Sequence, residues 1–140
     1  MISDDVAARL AFAVGRLNRL LRPSSPSLSP ALLLALATVV RHGPLRPSEL
    51  GRIEGVAAPT ATRLVVELES RGLVSRAADP DDGRSFFVES TEAGERAVLA
   101  AREERATNAS ALLATLDGHG LAAVVAALTS LERMADSREV

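Results

Sequence analysis

The sequence predicts a mainly α-helical protein with one small β-hairpin. Apolar residues recur at helical spacing over most of its 140 residues, and only two short stretches, LVSR and SFFVES, have the composition of strands. Between these stretches lies AADPDDG, whose Asp, Pro and Gly residues are typical of a tight turn. Because a lone hairpin is not stable in water, it needs helices to pack on. We therefore expect a helical core with a hairpin attached.

The first two helices are predicted on either side of a loop rich in proline and serine. Residues 4–22 carry apolar side chains at three- and four-residue steps, opposite a face of arginines. The loop PSSPSLSP (23–30) follows, and Ser29 with Pro30 has the pattern of a helix N-cap and first turn. The run ALLLALATVVRH after it is apolar on nearly every side. We expect it to be the most buried helix.

Residues 45–76 predict two helices in close succession. A short helix over PSELGRI is followed by the turn EGV and by a second helix that begins at Pro59. The apolar stripe of this second helix is formed by Leu64, Val65 and Leu68. A helix-turn-helix followed by a hairpin is a winged helix, and in such units the second helix lies in the DNA major groove.

Two further helices are predicted after the hairpin. Thr91 is a good N-cap for a long helix to about Leu116, DGHG (117–120) interrupts it, and a last amphipathic helix follows. A chain that is 47% hydrophobic has more apolar surface than such a monomer can hide, so the outer helices are the natural place for a second subunit. The predicted regions are an N-terminal dimerisation helix and loop (1–30), a winged helix-turn-helix DNA-binding region (31–91) and C-terminal dimerisation helices (92–140).

The composition argues against several other classes of protein. The chain has no cysteine, so a disulfide framework, a thiol sensor and a Cys-type zinc site are excluded. An acidic N-terminus without a long apolar run argues against a signal peptide and a membrane span, so we expect a cytoplasmic protein. His42 and His119 have no evident partners, and no phosphate loop, HExxH motif or nucleophile elbow is present. We predict no enzyme activity, no cofactor and no metal, although the fold could still assemble His, Asp and Glu ligands.

The charge balance does not by itself indicate a nucleic-acid binder. The formal net charge is −2, and residues 41–91 contain seven arginines and eight acids. This is an objection to DNA binding, because phosphate neutralisation supplies much of the affinity. All sixteen basic residues are arginine, whose planar fork suits phosphate or guanine contacts. A winged helix that docks a protein partner and does not bind DNA is therefore kept as the alternative.

The second helix of the pair carries the candidate side chains for reading bases. With its apolar stripe turned inward, Thr60, Thr62 and Arg63 face largely outward, where hydroxyls and a guanidinium can reach base edges or phosphates. Ser48, near the start of the short helix, could hold a phosphate together with the amides of that helix. A merely solvated helix face of the same composition is the plain structural alternative.

The hairpin and its flanks carry the most specific pattern. The segment ELGRIEGVAAPTATRLVVELESRGLVSR, followed by DPDDGR and TEAG, resembles the MarR family of bacterial transcriptional regulators. That family has Asp-Pro-x-Asp-x-Arg, then a strand, then Thr-x-x-Gly. The matching residues are Asp79, Pro80, Asp82, Arg84, Thr91 and Gly94. The resemblance covers about 45–94 by motif, and it implies a homodimer whose two winged helices bind pseudo-palindromic double-stranded DNA.

The resemblance also implies roles within the wing. Asp79 and Asp82 would structure the loop, with Asp82 pairing with Arg84 or its neighbours. A wing-tip arginine would enter the minor groove, whose negative potential attracts it. Arg84 is the candidate for that role and Arg76 for a phosphate contact, and the alternative is an Arg84 that only ties the wing together.

A small effector is a further implication of the resemblance. Many relatives bind a small aromatic or anionic compound between the dimer helices and the winged helix, and such a ligand would shift the population of two arrangements. A regulator without a ligand is equally allowed, and so are repression and activation. The sequence does not define the residues that would line such a pocket.

Three positions depart from the family pattern. No Ser, Thr or Asp caps the helix that begins at Pro59. Ser90 stands where an apolar residue usually precedes the Thr, and Gly118 and Gly120 stand where the last helix usually has a firm polar start. We expect an uncertain helix start, a looser exit from the strand and a weaker start of the last helix, respectively.

Overall fold

The computed structural model describes residues 3–23 and 27–137. Within them the chain is mainly helical with one antiparallel two-stranded hairpin, which confirms the predicted fold class. Part of the predicted loop, residues 24–26, lies outside the described residues. The elements are α1 (Asp4–Leu20), α2 (Pro30–His42), α3 (Pro47–Glu54), α4 (Ala58–Ser70), β1 (Val74–Ala78), β2 (Phe86–Ser90), α5 (Glu92–Leu113) and α6 (Gly118–Asp136).

The chain divides into two compact units. The winged unit is Pro26–Arg102, and the terminal unit consists of Met1–Ser25 together with Glu103–Val140. These borders differ from the boundaries drawn at 30 and 91, because Leu28 and Val98 both pack into the core of the winged unit. Helix α5 therefore starts in the winged unit and ends in the terminal unit.

Helix α2 has more buried residues than any other helix, in agreement with its apolar sequence. Its start is also as predicted, because the Ser29 hydroxyl accepts the Leu32 N–H at 3.3 Å and Pro30 occupies the first turn. One residue departs from the expectation, since Leu34 is 60% exposed. The core around α2 comprises Leu28, Leu32, Ala35, Leu36, Val39, Leu45, Leu50, Val65, Leu68, Val74, Val88 and Val98.

The Thr-x-x-Gly pattern joins the start of α5 to the end of α4. The Thr91 hydroxyl donates to the Gly72 carbonyl oxygen at 2.6 Å and accepts the Gly94 N–H at 3.1 Å. Gly94 is required by a close approach, because a Cβ there would lie 2.1 Å from the carbonyl oxygen of Leu73. Thr91 therefore caps α5, as predicted, and Gly94 allows α5 to lie against the chain that enters β1.

The terminal unit exposes much of its apolar surface. Helices α1 and α6 bury no residue, and Phe12 and Val125 are 68% and 58% exposed. Of the fifteen large hydrophobic residues that are exposed in the described chain, twelve belong to this unit. Within it, the Asn108 side chain donates to the carbonyl oxygens of Leu21 and Arg22 at 3.2 and 3.1 Å, which holds the end of α1 to α5.

Helix α6 begins earlier than its sequence predicts. The Asp117 carboxylate accepts the Gly120 N–H at 2.7 Å, and the helix starts at Gly118. The predicted interruption at 117–120 is therefore wrong at its C-terminal end, because one capping carboxylate is enough to start the helix through two glycines. No helix in the described ranges is long and apolar enough to cross a membrane.

Candidate nucleic-acid interface

Helices α3 and α4 form a tight helix-turn-helix. The turn passes through Gly55, which has the left-handed φ of +67° and ends α3. A Cβ built on Gly51 would lie only 3.3 Å from the Cβ of Ala61, so the two helices are in close contact. The residues of α4 that face the core are Ala61, Val65 and Leu68. Leu64, which was predicted to belong to this stripe, is half-buried and packs against the core, and Ala61 extends the stripe toward the start of the helix.

The opposite face of α4 presents the predicted base-reading residues. Thr62 and Arg63 are exposed, and Thr60 is half-buried. Their side chains make no hydrogen bond or ion pair with another residue of the described chain. The helix starts without a capping side chain, since Ala57 at its N-cap contributes only its carbonyl oxygen, to Thr60 N–H and Ala61 N–H at 3.0 Å. Two hydroxyls and one guanidinium are thus available to a ligand.

Ser48 lies in the first turn of α3, where its sequence places it, and it is exposed. An acid lies beside it, because the Glu49 carboxylate accepts the backbone N–H of Arg46 at 2.7 Å. This carboxylate stabilises the helix start, as an acid in the first turn does. It also reduces the attraction of this helix end for a phosphate.

The wing consists of β1, β2 and the loop 79–85 between them. The strands pair in a register that runs from Val74 opposite Ser90 to Ala78 opposite Phe86. Two aspartates organise the loop by accepting backbone N–H groups two residues further on, which is the geometry of an Asx turn. The N–H of Asp81 donates to Asp79 at 3.0 Å, and the N–H of Arg84 donates to Asp82 at 2.9 Å.

The backbone N–H of Arg84, and not its guanidinium, is therefore the group that contacts Asp82. Its guanidinium makes no hydrogen bond or ion pair within the ranges that the structure describes. The side chain is exposed near the tip of the wing. A donor fork at that place is available for an external acceptor.

A contact that the sequence did not reveal holds the base of the wing. Arg46, the residue before α3, donates from Nε and from a terminal nitrogen to Oδ2 of Asp79, at 3.0 and 2.8 Å. Asp79 is only 4% exposed. The backbone N–H of Asp81 and then the Arg46 guanidinium lower the pKa of the Asp79 carboxyl, while burial opposes them. In turn, the hydrogen bond to Asp79 raises the pKa of Arg46. In the sequence, the sign of this contact was Asp79 itself, since a motif acid that becomes buried needs a cation beside it.

Arg76, the predicted phosphate contact, is held by two neighbours. Its Nε lies 2.6 Å from Oε2 of Glu69, and its guanidinium lies 4.2 Å from the centroid of the Phe86 ring. Both charged side chains are partly exposed. The two terminal nitrogens of Arg76 make no recorded hydrogen bond within the described chain, so part of its fork is still available.

Internal contacts account for much of the acidic charge of the winged unit. Four of its acids form ion pairs with arginines at 2.6 to 2.8 Å. Arg52, Arg63 and Arg84 form no ion pair with another described residue. The pairs are Asp79 with Arg46, Glu67 with Arg71, Glu69 with Arg76, and Glu92 with Arg96. Although the charges nearly cancel in sum, several of the acids are therefore used in internal contacts while some of the arginines are available to a ligand. Among the described residues, no group of His, Cys, Asp and Glu is placed to hold a metal.

Comparisons with known proteins agree with this geometry. The MarR family pattern matches residues 28–86. An HTH-type transcriptional regulator of Mycobacterium bovis is 41% identical over 122 residues, which cover 84% of this chain and 85% of the relative. A transcriptional regulator protein from Pseudomonas aeruginosa has a similar structure, with a TM-score of 0.79 and 32% identity over 94% of each chain. The PcaV transcriptional regulator of Streptomyces coelicolor, solved with its natural ligand, has a TM-score of 0.60 and 24% identity, covering 94% of this chain and 90% of that one.

The helix-turn-helix, the hairpin and these likenesses define a winged helix-turn-helix regulator of transcription. The chain belongs to the MarR family, and the resemblance expected from the wing motif is confirmed. That family is a class of transcriptional regulators and not of enzymes.

Proposed function

We propose that this MarR-family regulator acts as a homodimer on pseudo-palindromic double-stranded DNA, with α4 in the major groove and the wing in the minor groove. The observation that carries the proposal is that two arginines form no ion pair in the described chain. These are Arg63 on α4 and Arg84 on the wing, and Glu67, the acid one turn after Arg63, is paired with Arg71. Guanidinium forks of this kind bind phosphates, guanine edges and narrow minor grooves.

Each candidate residue has a role in the proposal. Thr60 and Thr62 contact base edges or phosphates, and Arg63 contacts a guanine or a phosphate. Arg84 enters the minor groove. Ser48 and Arg76 make the weaker contacts, because Glu49 lies beside the former and Glu69 holds the latter.

The second copy of the chain would cover the terminal unit. Helices α1 and α6 bury nothing within one chain, although both carry apolar residues at helical spacing. Exposed apolar surface of this extent is unusual for a monomer. A homodimer would bury it, and it would present two winged helices to the two half-sites of a pseudo-palindrome.

The proposal includes a small aromatic or anionic effector. Its support is a likeness of fold to PcaV, a regulator that was solved with its natural ligand. A compound that favours one spacing of the two winged helices would change DNA affinity by a population shift. Benzoate, as a simple aromatic carboxylate, can be titrated into the complex of the protein with DNA, and a change in DNA affinity would support an effector.

Fluorescence anisotropy with a labelled duplex from the region upstream of the gene tests the DNA-binding proposal. We expect specific binding whose log affinity falls linearly with log salt concentration. Arg63→Ala and Arg84→Ala should each weaken binding about tenfold or more and make the salt slope shallower. Binding that is indifferent to both substitutions would refute the assigned site. No binding to any upstream duplex would favour a winged helix that docks a protein partner.

A further inference from the structure

The segment just before α3 contacts β2 and the loop residue that directly follows β1. Leu45 pairs with Val88 of β2 through two backbone hydrogen bonds, with N–O distances of 3.1 and 2.8 Å. Arg46 is the next residue, and its guanidinium lies 4.8 Å from the centroid of the Phe87 ring on β2. Its nitrogens reach Asp79, which directly follows β1. One arginine side chain thus joins the first helix of the helix-turn-helix to both sides of the hairpin.

From this contact a chain of hydrogen bonds leads to the tip of the wing. Asp79 Oδ2 accepts from Arg46, while its Oδ1 accepts the N–H of Asp81. The next residue, Asp82, accepts the N–H of Arg84. The loop is therefore built outward from a buried carboxylate that Arg46 neutralises. A change at Arg46 would be transmitted to the backbone that carries Arg84.

We propose that Arg46 is a positioning residue of the DNA-binding site, which acts through Asp79 and Phe87 to fix the wing on α3 and thereby directs Arg84 at the DNA. This inference rests on the proposed function, since it needs a wing that binds DNA. It goes beyond that function because Arg46 itself makes no contact with DNA.

A direct phosphate contact by Arg46 fits the surroundings less well. Two of its donor nitrogens are bound to Asp79. Glu49 and Asp81 also interact with it electrostatically, so three acids surround one guanidinium. A phosphate would meet a negative local potential there, unlike at Arg63, whose neighbouring acid Glu67 is paired with Arg71. The geometry thus favours an internal role for this arginine.

Neutralising Asp79 gives a test, because its carboxylate can either repel DNA or hold the wing in place. The two roles predict opposite changes in DNA affinity. Removing a negative charge from a DNA-binding surface normally strengthens binding, because it reduces repulsion of the phosphates. Asp79→Asn instead weakens binding about tenfold if the carboxylate holds the wing in place. Glu89→Gln is the matched control, since Glu89 is an exposed acid of β2 without a recorded partner in the described chain, and it should bind equally or more tightly.

A double-mutant cycle gives the second test. If Arg46 acts by placing Arg84, Arg46→Met should weaken binding about tenfold, and the double variant with Arg84→Ala should lose little beyond Arg84→Ala alone. Methionine keeps an apolar stem against Phe87 and removes the guanidinium. Anisotropy should be measured well below the unfolding midpoint of each variant, as followed by circular dichroism, so that global unfolding does not enter the result.

The outcomes separate this inference from the proposed function. Asp79→Asn that binds as tightly as Glu89→Gln would overturn the positioning role, and so would additive losses from Arg46→Met and Arg84→Ala. Either result leaves DNA binding intact if Arg63→Ala still weakens it. If Asp79→Asn fails to fold, the cycle with Arg46→Met decides. A wild-type protein that binds no DNA would refute the proposed function and this inference together.

Discussion

Arg76 Nε lies 2.6 Å from Oε2 of Glu69, and this ion pair joins the first strand of the wing to the end of α4. The same guanidinium covers the ring of Phe86 on the second strand. Together with the pair of Arg46 and Asp79, it gives the wing two separate ion pairs with the helix-turn-helix and the residue before it. Both ion pairs use an arginine that could otherwise have bound DNA. The arginines around the wing therefore fall into two groups, those that hold the wing in place and those that are available to a ligand.

This division predicts an order of effects on DNA binding. Arg76→Ala should weaken binding only about twofold, whereas Arg63→Ala and Arg84→Ala should weaken it about tenfold or more. The reason is that Nε of Arg76 is already engaged with Glu69, so fewer donors are left for a phosphate. Anisotropy titrations of the three variants at one salt concentration provide the measurement. If Arg76→Ala is the most damaging of the three, the order is refuted.

Gly94 should not tolerate any side chain. Gly94→Ala would place a Cβ 2.1 Å from the carbonyl oxygen of Leu73, and that atom belongs to the backbone and cannot easily move. We expect a loss of about 3 kcal/mol in the free energy of unfolding. Urea denaturation followed by far-UV circular dichroism measures it. Gly83→Ala is the control, because a Cβ at Gly83 meets nothing within 4 Å, and equal losses in the two variants would contradict the steric explanation.

Thr91 combines a helix cap with a link to α4. Thr91→Ala removes the acceptor for Gly94 N–H and the donor to the Gly72 carbonyl oxygen, so the free energy of unfolding should fall by about 1–2 kcal/mol. Thr91→Ser keeps the hydroxyl and should recover most of this loss. The same urea denaturation compares the variants. A serine variant as unstable as the alanine variant would show that the hydroxyl is not the cause.

The buried carboxylate of Asp79 should make stability depend on acid pH. Its pKa in the folded state lies below the ordinary value of 3.8, because the Asp81 and Asp82 N–H groups and Arg46 favour the charged form. A lowered pKa contributes stability that is fully present well above 3.8 and is lost as the pH falls through the folded-state value. The stability gap between wild type and Asp79→Asn should therefore stay constant near neutral pH and shrink below 3.8. Urea denaturation at several pH values tests this, and a gap that does not change with pH would contradict it.

The exposed face of α6 should hold the dimer together. Leu128, which is 45% exposed within one chain, would be buried by a second copy. Leu128→Glu should therefore shift the protein toward monomer at micromolar concentration, since a buried unpaired carboxylate is costly. Size-exclusion chromatography with light scattering measures the mass. Leu34→Glu, at an exposed leucine of α2 in the winged unit, is the control and should stay dimeric. A wild type that is monomeric at this concentration would refute the dimer itself.

Local rules predicted the elements whose signals lie close together in the sequence. Ser29 and Pro30 start α2, Thr91 caps α5, and the loop rich in Asp, Pro and Gly turns the hairpin. Each of these features depends on residues within a few positions of one another. Such contacts are determined by backbone preferences and short side chains, which a sequence displays directly.

Contacts between distant residues could not be predicted in the same way. Arg46 and Asp79 are 33 positions apart, and the wing motif pointed only to a local pairing, of Asp82 with Arg84 or its neighbours. Which arginine pairs with Asp79 depends on how α3 packs against β2, and that packing is determined by the core as a whole. In α4, likewise, the close approach of α3 at Gly51 covers Ala61, a buried residue that the sequence did not single out. Ala61 lies one turn before Val65 on the same face, so the helical period agrees with its burial but does not show where the buried stripe ends.

The arginines that cover the phenylalanine rings have an experimental consequence. The chain has three phenylalanines and neither tryptophan nor tyrosine, and each ring has a guanidinium over it, from Arg16, Arg76 and Arg46. The protein therefore has no tryptophan or tyrosine emission, and a single indole would be a reporter without background at its own emission wavelengths. Phe87→Trp would place that reporter against Arg46. Its emission could follow the base of the wing directly as DNA or an effector is added.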